Sequence, residues 1–280
     1  MKIGIITDST CDLTKELLEE NNIEELPLYV TIGGKTYQDG VDITCKELYA
    51  LVDKLGELPK SAGASITAFE EYFANYLEKY DQLVYCGIGS KLSGTYQSAI
   101  KAKESFPDDK IYIIDSANLS SGIGLLVLKA CKFRDEGKTG KEIKEEVDKI
   151  VPNVRTQFAI NTLKYMHMGG RCSGVSRLLS ITLNIKPIIK VIDGGLKVGK
   201  KPIGYQRALK SMLEDINNDK DRLDTDYVMV THAAGDSDAV YLKAELKKML
   251  PNQRVCETFA GGVIATHCGP RTIGILYIVK

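Results

Sequence analysis

The sequence predicts an α/β protein: an N-terminal parallel sheet with helices on both faces, then a second, smaller α+β domain of two layers. Three observations predict it. Three short apolar runs in the first half each lead into a helical pattern, the sequence form of right-handed βαβ units. The 280 residues exceed what one compact core usually holds. After Pro152 the alternation of strand and helix gives way to hairpins mixed with helices, which divides the chain into residues 1–152 and 153–280.

The three runs are nearly all apolar, as strands buried on both faces must be. Ile3 to Thr7 ends in Asp8-Ser9-Thr10, Leu83 to Ile88 in Gly89-Ser90-Lys91-Leu92-Ser93-Gly94, and Ile111 to Ile114 in Asp115-Ser116-Ala117-Asn118. Leu13, Leu17 and Leu18 mark the helix after the first run; Tyr96, Ala99 and Ile100 mark the second; Leu125 to Phe133 marks the third. Between the first two units lies an insertion. Leu28 to Ile32, Gly33-Gly34 and Thr36-Tyr37 read as a hairpin-like flap, and Thr44 caps an amphipathic helix through Leu55. Pro59 to Ser65 reads as a loop, and Thr67 with Glu70 as the capping box of the next helix. A Lys- and Glu-rich helix runs from about Thr139 to Ile150.

In the second half Phe158-Ala159-Ile160 reads as strand and Met166 to Gly174 as a glycine-rich basic stretch. Pro187 to Ile192, Asp193-Gly194-Gly195 and Leu196 to Val198 form a hairpin. Helices around 205–216 and 237–249 alternate with strands Tyr227–Val230, Val255–Glu257 and Ile273–Val279.

Thirty-seven basic residues balance thirty-seven acidic ones, which argues against a nucleic-acid-binding protein. A local basic patch, and through it a transient contact with a membrane surface, is compatible with that balance. The opening apolar run is too short for a signal segment, and no stretch reaches membrane-spanning length. The seven cysteines are odd in number and scattered, with no C-x-x-C pair, so a reducing cytoplasm is expected and a disulfide framework is not.

Ligands of open parallel sheets bind beyond the carboxyl ends of the strands. There the sequence places Asp8, Ser9, Ser90, Ser93, Thr95, Asp115 and Ser116. The strongest stretch is Gly89 to Thr95: Gly94 permits close backbone approach, and hydroxyls with free N–H groups at a helix start suit a carboxylate or phosphate. The plain alternative is Ser93 or Thr95 as an N-cap; the convergence of three hydroxyl-rich strand ends favours a site. The stretch is neither a Walker A loop nor a G-x-S-x-G elbow, and Gly122-x-Gly124 is half a dinucleotide fingerprint. No pair among His167, His232 and His267 has helical metal-ligand spacing, and no metal or cofactor is expected. His267, in a turn before the last strand, suits donation to a carboxylate; His232 is expected in a turn and helix cap. Gly169-Gly170-Arg171 and Gly199-Lys200-Lys201 read as exposed cationic loops, for a partner or phosphate or as solvated surface.

The chain resembles the DegV family, the fatty-acid-binding subunits of bacterial fatty acid kinase, from end to end. The resemblance rests on Ile6 to Leu13, Leu92-Ser93-Gly94-Thr95-Tyr96-Gln97-Ser98-Ala99, Ile114-Asp115-Ser116, Gly169-Gly170-Arg171 and His267-Cys268-Gly269-Pro270. It implies a DegV-like fold with a long-chain fatty acid in a tunnel between the two domains. It implies that Ser61, Ser93 and His267 hold the carboxylate, within a ligand set that includes Gly94 and Thr95. The family is non-catalytic, and a separate ATP-using kinase phosphorylates the bound carboxylate. Arg171, Lys200 and Lys201 would then contact the kinase or the phosphate. Two departures stand out: Ser61-Ala62-Gly63-Ala64-Ser65 replaces the family's Thr-Ser-Gln-Pro-Ser, and Arg271 replaces a glycine. The competing expectations are an esterase or acyltransferase with Ser93 as nucleophile and His267 as base, and a phospho-ligand sensor using the basic loops.

Overall fold

The computed structural model describes residues 1–170 and 184–280; Arg171 and Cys172 lie outside the described residues. In chain order the first half gives β1 (Ile3–Asp8), α1 (Lys15–Glu20), β2 (Ile23–Leu26), β3 (Tyr29–Ile32), β4 (Lys35–Gln38), α2 (Cys45–Leu55) and β5 (Lys60–Ala62). It continues with α3 (Ile66–Leu77), β6 (Gln82–Gly87), α4 (Thr95–Lys103), β7 (Ile111–Asp115), α5 (Ser121–Asp135) and α6 (Gly140–Ile150). The second half gives β8 (Val154–Ala159), α7 (Lys164–Met168), β9 (Ile188–Ile192), β10 (Gly195–Val198), α8 (Tyr205–Asp219) and β11 (Leu223–Ala233). It closes with α9 (Asp236–Met249), β12 (Arg254–Phe259), α10 (Gly262–Cys268) and β13 (Thr272–Val279).

The first sheet is parallel, in the order β2-β1-β6-β7. Successive side chains of a strand point to opposite faces, and here both faces are buried. Ile6, Leu83 and Tyr85 pack with Leu48 of α2, Phe69 and Phe73 of α3 and Ala99 of α4. Ile5, Val84 and Cys86 pack on the other face with Ile123, Leu126 and Val127 of α5 and Ile143 of α6. The second sheet, β10-β9-β8-β13-β11-β12, is antiparallel except for the β11–β12 pair. Its Met229, Leu276 and Ile278 share the α5 cluster, so α5 lies between the two sheets and is buried all round from Ser121 to Cys131. The opposite face of the second sheet packs on α8 and α9.

The flap is present as β3–β4, turning at Gly33 and Gly34 with φ of +59° and +72°. The structure differs from the sequence reading in several places. β2 escaped it because Glu24 and Glu25 interrupt the apolar pattern of this edge strand. Lys60–Ala62 is a strand rather than loop, because it adds to β3. The cap of α3 is Ser65, not Thr67: Ser65 is extended, and its hydroxyl accepts from Ala68 N–H at 3.1 Å. Glu70 instead accepts from Ser105 Oγ at 2.6 Å. His267 stands in the last turn of a helix, α10, rather than in a turn. His232 lies inside β11, although its Nδ1 does accept from Gly235 N–H at 3.1 Å and so closes the turn that follows. No helix of the described residues is long and apolar enough to cross a membrane.

Candidate functional site

Where the carboxyl edge of the parallel sheet meets the inner face of the second sheet lies a cavity with about 1030 Å³ of empty space, its open mouth included. Of this, about 120 Å³ is space that the centre of a water-sized group can occupy. Leu28, Ile88, Leu119, Phe158, Leu196 and Leu276 supply apolar wall from both halves of the chain. Among the described lining residues there is no Lys or Arg.

Among the polar residues that line this cavity, Ser61, Ser93 and His267 come from three separate segments of the chain. Ser61 is brought there by β5, which pairs with Val30 of β3, and His267 by the last turn of α10. Ser61 Oγ lies 2.7 Å from His267 Nε2, across 206 residues of sequence. Ser93 sits in the loop between β6 and α4; its Oγ is 2.9 Å from Thr95 Oγ1 and accepts from Thr95 N–H at 3.2 Å. A hydroxyl beside an imidazole, with a second hydroxyl in the same wall, suits the two oxygens of a carboxylate.

Gly94 and Thr95 do not line the cavity, and Gly94 is exposed. Gly94 opens α4 with no side-chain cap, and Thr95 is buried. Gly63 explains one departure in the Ser61 segment: a Cβ there would fall 2.2 Å from Thr95 Oγ1, so a glycine lets β5 and α4 approach. Arg271, the other departure, has φ +60° in the left-handed region that favours glycine. Its guanidinium is held by Asp238 at 2.8 Å and lies 4.5 Å from the Tyr205 ring centroid.

The remaining hydroxyls and acids of the strand ends are taken up by the fold. Asp8 accepts from Thr10 N–H at 3.0 Å, from the Thr10 hydroxyl, from Tyr85 OH at 2.7 Å and from Ile88 N–H at 3.1 Å. Ser90 donates its N–H to Asp115 at 2.9 Å, and Ser9 donates to Asp39 at 3.0 Å. Ser116 accepts from Asn118 N–H at 3.1 Å. His232 lines the cavity, but its Nδ1 is an acceptor, so Nε2 carries the proton and donates to Glu257 at 3.0 Å. Cys268 also lines the cavity; burial pushes its thiol up, so it is not a thiolate nucleophile at neutral pH.

The basic loop after β10 divides. Lys200 pairs with Asp215 at 2.9 Å and Glu214 at 3.6 Å, both on α8. Lys201 is exposed. Sequence reading missed the apolar wall, because Leu119 or Leu276 carries no mark that separates cavity lining from core. It also missed Asp39, which reads as part of a Gln38-Asp39-Gly40 turn.

The DegV family model, described as an uncharacterised protein family, matches residues 2–280. A DegV domain-containing protein of Clostridium acetobutylicum is 35% identical over 279 residues, covering 100% of this chain and 99% of its own. One from Deinococcus radiodurans is 30% identical over 276 residues, with 98% of each chain covered. Among solved structures, a fatty-acid-binding DegV family protein from Thermus thermophilus superposes with a TM-score of 0.93 at 28% identity over 100% of both chains. DegV of Bacillus subtilis, a fatty acid binding protein, gives 0.91 at 26% identity over 100% of both chains. A stearic-acid-binding protein from Eubacterium ventriosum gives 0.89 at 28%, covering 99% of this chain and 98% of its own. With its whole length matched in both sequence and fold, this chain belongs to the DegV family.

Proposed function

We propose that this protein binds a long-chain fatty acid between the units 1–152 and 153–280, with the carboxylate at Ser61, Ser93 and His267. It does not catalyse the transfer itself, but presents the carboxylate to a separate ATP-dependent kinase that forms an acyl phosphate. The observation that carries the lipid reading is the apolar cavity lined by the Ser61–His267 pair at 2.7 Å and by Ser93. Relatives from Thermus, Bacillus and Eubacterium that bind fatty acids support it. Burying an acyl methylene contributes about 0.8 kcal/mol, so a long tail supplies on the order of 10 kcal/mol before ordering costs. A hydrogen bond to a charged group is worth about 1.5–3 kcal/mol. The tail therefore sets affinity, and the head-group residues set orientation.

Support for presentation to a partner is an open recess outside Ser93, lined by Ser90, Lys91, Gly94, Gly170 and Gly195 and sharing Leu92, Ser93 and Leu196 with the cavity. Protein purified from a bacterial host is expected to carry a fatty acid, seen as a mass difference between native and denaturing spectra. Apo protein that ignores added oleate and palmitate would refute the reading. With the lipid-loaded protein, kinase and ATP, acyl phosphate is the expected product.

The Ser61–His267 geometry also favours a second reading, a serine esterase or acyltransferase. The base His267 then faces Ser61 rather than the Ser93 nucleophile expected from sequence. Fluorophosphonate labelling of Ser61 would establish it, and an unlabelled protein that binds oleate would exclude it.

A further inference from the structure

Helix α10 carries His267 at one end, and at the other it is held by two carboxylates from the far end of the chain. Asp39, 1% exposed, accepts from Gly262 N–H at 2.5 Å, Val263 N–H at 3.1 Å and Ser9 Oγ at 3.0 Å. Asp12, 4% exposed, accepts from Gly261 N–H at 2.8 Å and from the Ser120 hydroxyl. The first amides of a helix lack intrahelical partners, and α10 has no side-chain cap of its own, so these remote carboxylates supply the missing acceptors. Both glycines ease the approach: a Cβ at Gly261 or Gly262 would lie 2.9 or 3.1 Å from an Asp39 oxygen and crowd it.

We propose that Asp39, with Asp12 beside it, is a positioning residue for His267, fixing the first turn of α10 so that its last turn meets Ser61. α10 has seven residues, a stiff rod of about 10 Å, so a displaced first turn moves the imidazole at the other end. Its far end is steadied by Tyr49 OH donating to Ala265 O at 3.1 Å and Thr272 Oγ1 donating to Cys268 O at 2.8 Å. Those contacts limit the motion to a tilt. The opening stretch Asp8 to Asp12 thereby acquires a common task without itself lining the cavity. Asp8 accepts from Ile88 N–H, in the strand-to-loop turn ahead of Ser93; Ser9 and Asp12 serve the α10 anchor. Burial raises the Asp39 carboxyl, while the Val263 and Gly262 amides and the Ser9 hydroxyl pull it back.

The consequence for carboxylate binding rests on His267 being a head-group donor; the position of its ring does not. The test is Asp39→Asn, which keeps the shape and turns one accepting oxygen into a donor facing an N–H. His267 ring signals in ¹H–¹⁵N spectra, assigned with His267→Gln, are expected to shift in Asp39→Asn. Oleate binding is expected to weaken five- to tenfold in the parent and less than twofold in a His267→Ala background. Gly262→Ala, which leaves both carboxylates in place but crowds the first turn, is expected to shift the same signals, and it decides alone if Asp39→Asn does not fold. Folded variants with unmoved His267 signals, or an equal loss of binding in both backgrounds, would overturn the proposal. A parent protein that binds no oleate would refute the fatty-acid reading while leaving the spectral test intact.

Discussion

Asp8 at the end of β1 and Ser61 in β5 are both polar groups where the two halves of the chain meet, but they are spent differently. Asp8 is 0% exposed and receives its donors from Thr10, Tyr85 and Ile88, all within the parallel-sheet unit. Ser61 reaches His267 and faces apolar cavity wall. A cluster of hydroxyls and acids at strand ends is thus compatible with two roles. What separates them is whether neighbouring backbone and side chains already use the lone pairs. Where they do, the group stabilises; where they leave capacity beside an apolar cavity, the group can take a ligand.

The largest expected effect lies on the structural side. Asp8→Ala would orphan buried donors on Thr10, Tyr85 and Ile88, and should cost about 3–5 kcal/mol in urea unfolding. A cost below about 1 kcal/mol would erase the distinction drawn here. Next comes Glu25 on β2, whose carboxyl is raised from 4.5 to about 7, first by burial and further by Asp39 and Asp8. The folded chain keeps this proton where the unfolded chain has lost it. The contribution is therefore full below pH 4.5 and lost as pH rises to 7, on the order of 3 kcal/mol. Stability of Glu25→Gln relative to the parent should grow over that window; parallel pH curves would contradict the assignment.

On the ligand side, Ser61→Ala and Ser93→Ala should each weaken oleate binding by about 1.5–3 kcal/mol while unfolding within about 0.5 kcal/mol of the parent. The reverse pattern, lost stability with intact binding, would move either serine to the Asp8 class. The smallest effect separates two adjacent lysines. Lys201→Glu should keep lipid binding and lower acyl-phosphate formation about tenfold, roughly 1.4 kcal/mol. Lys200→Gln, already committed to Asp215, should change turnover less than twofold. Equal turnover in both variants would return this loop to plain solvated surface.

Local chemistry was legible in the sequence. Thr44 caps α2 as read, and Thr139 caps α6 at the start read for that helix; each also forms a capping box, with Glu47 and Glu142, that the reading did not name. Asp193 and Gly194, at φ of 53° and 75°, make the turn of the β9–β10 hairpin. The three apolar runs became the three strands β1, β6 and β7. What local pattern could not carry depends on long-range pairing, and the Ser61–His267 grouping entered only through the family resemblance. The Ser61–His267 contact spans 206 residues, and it exists because β5 adds to β3 and because Asp39 and Asp12 anchor α10. His267 and Ser93 were singled out by motif, but nothing local links them to β5. The partners of Lys200 escaped for the same reason, since its carboxylates arrive on α8.

Carboxyl-¹³C NMR of labelled oleate reads directly whether the carboxylate of a fatty acid sits at Ser61, Ser93 and His267. One slowly exchanging bound resonance is expected, distinct from free oleate, whose position moves in Ser61→Ala and in His267→Ala. A bound resonance unchanged in both variants and titrating like a solvent-exposed carboxyl would place the head group elsewhere and contradict the account.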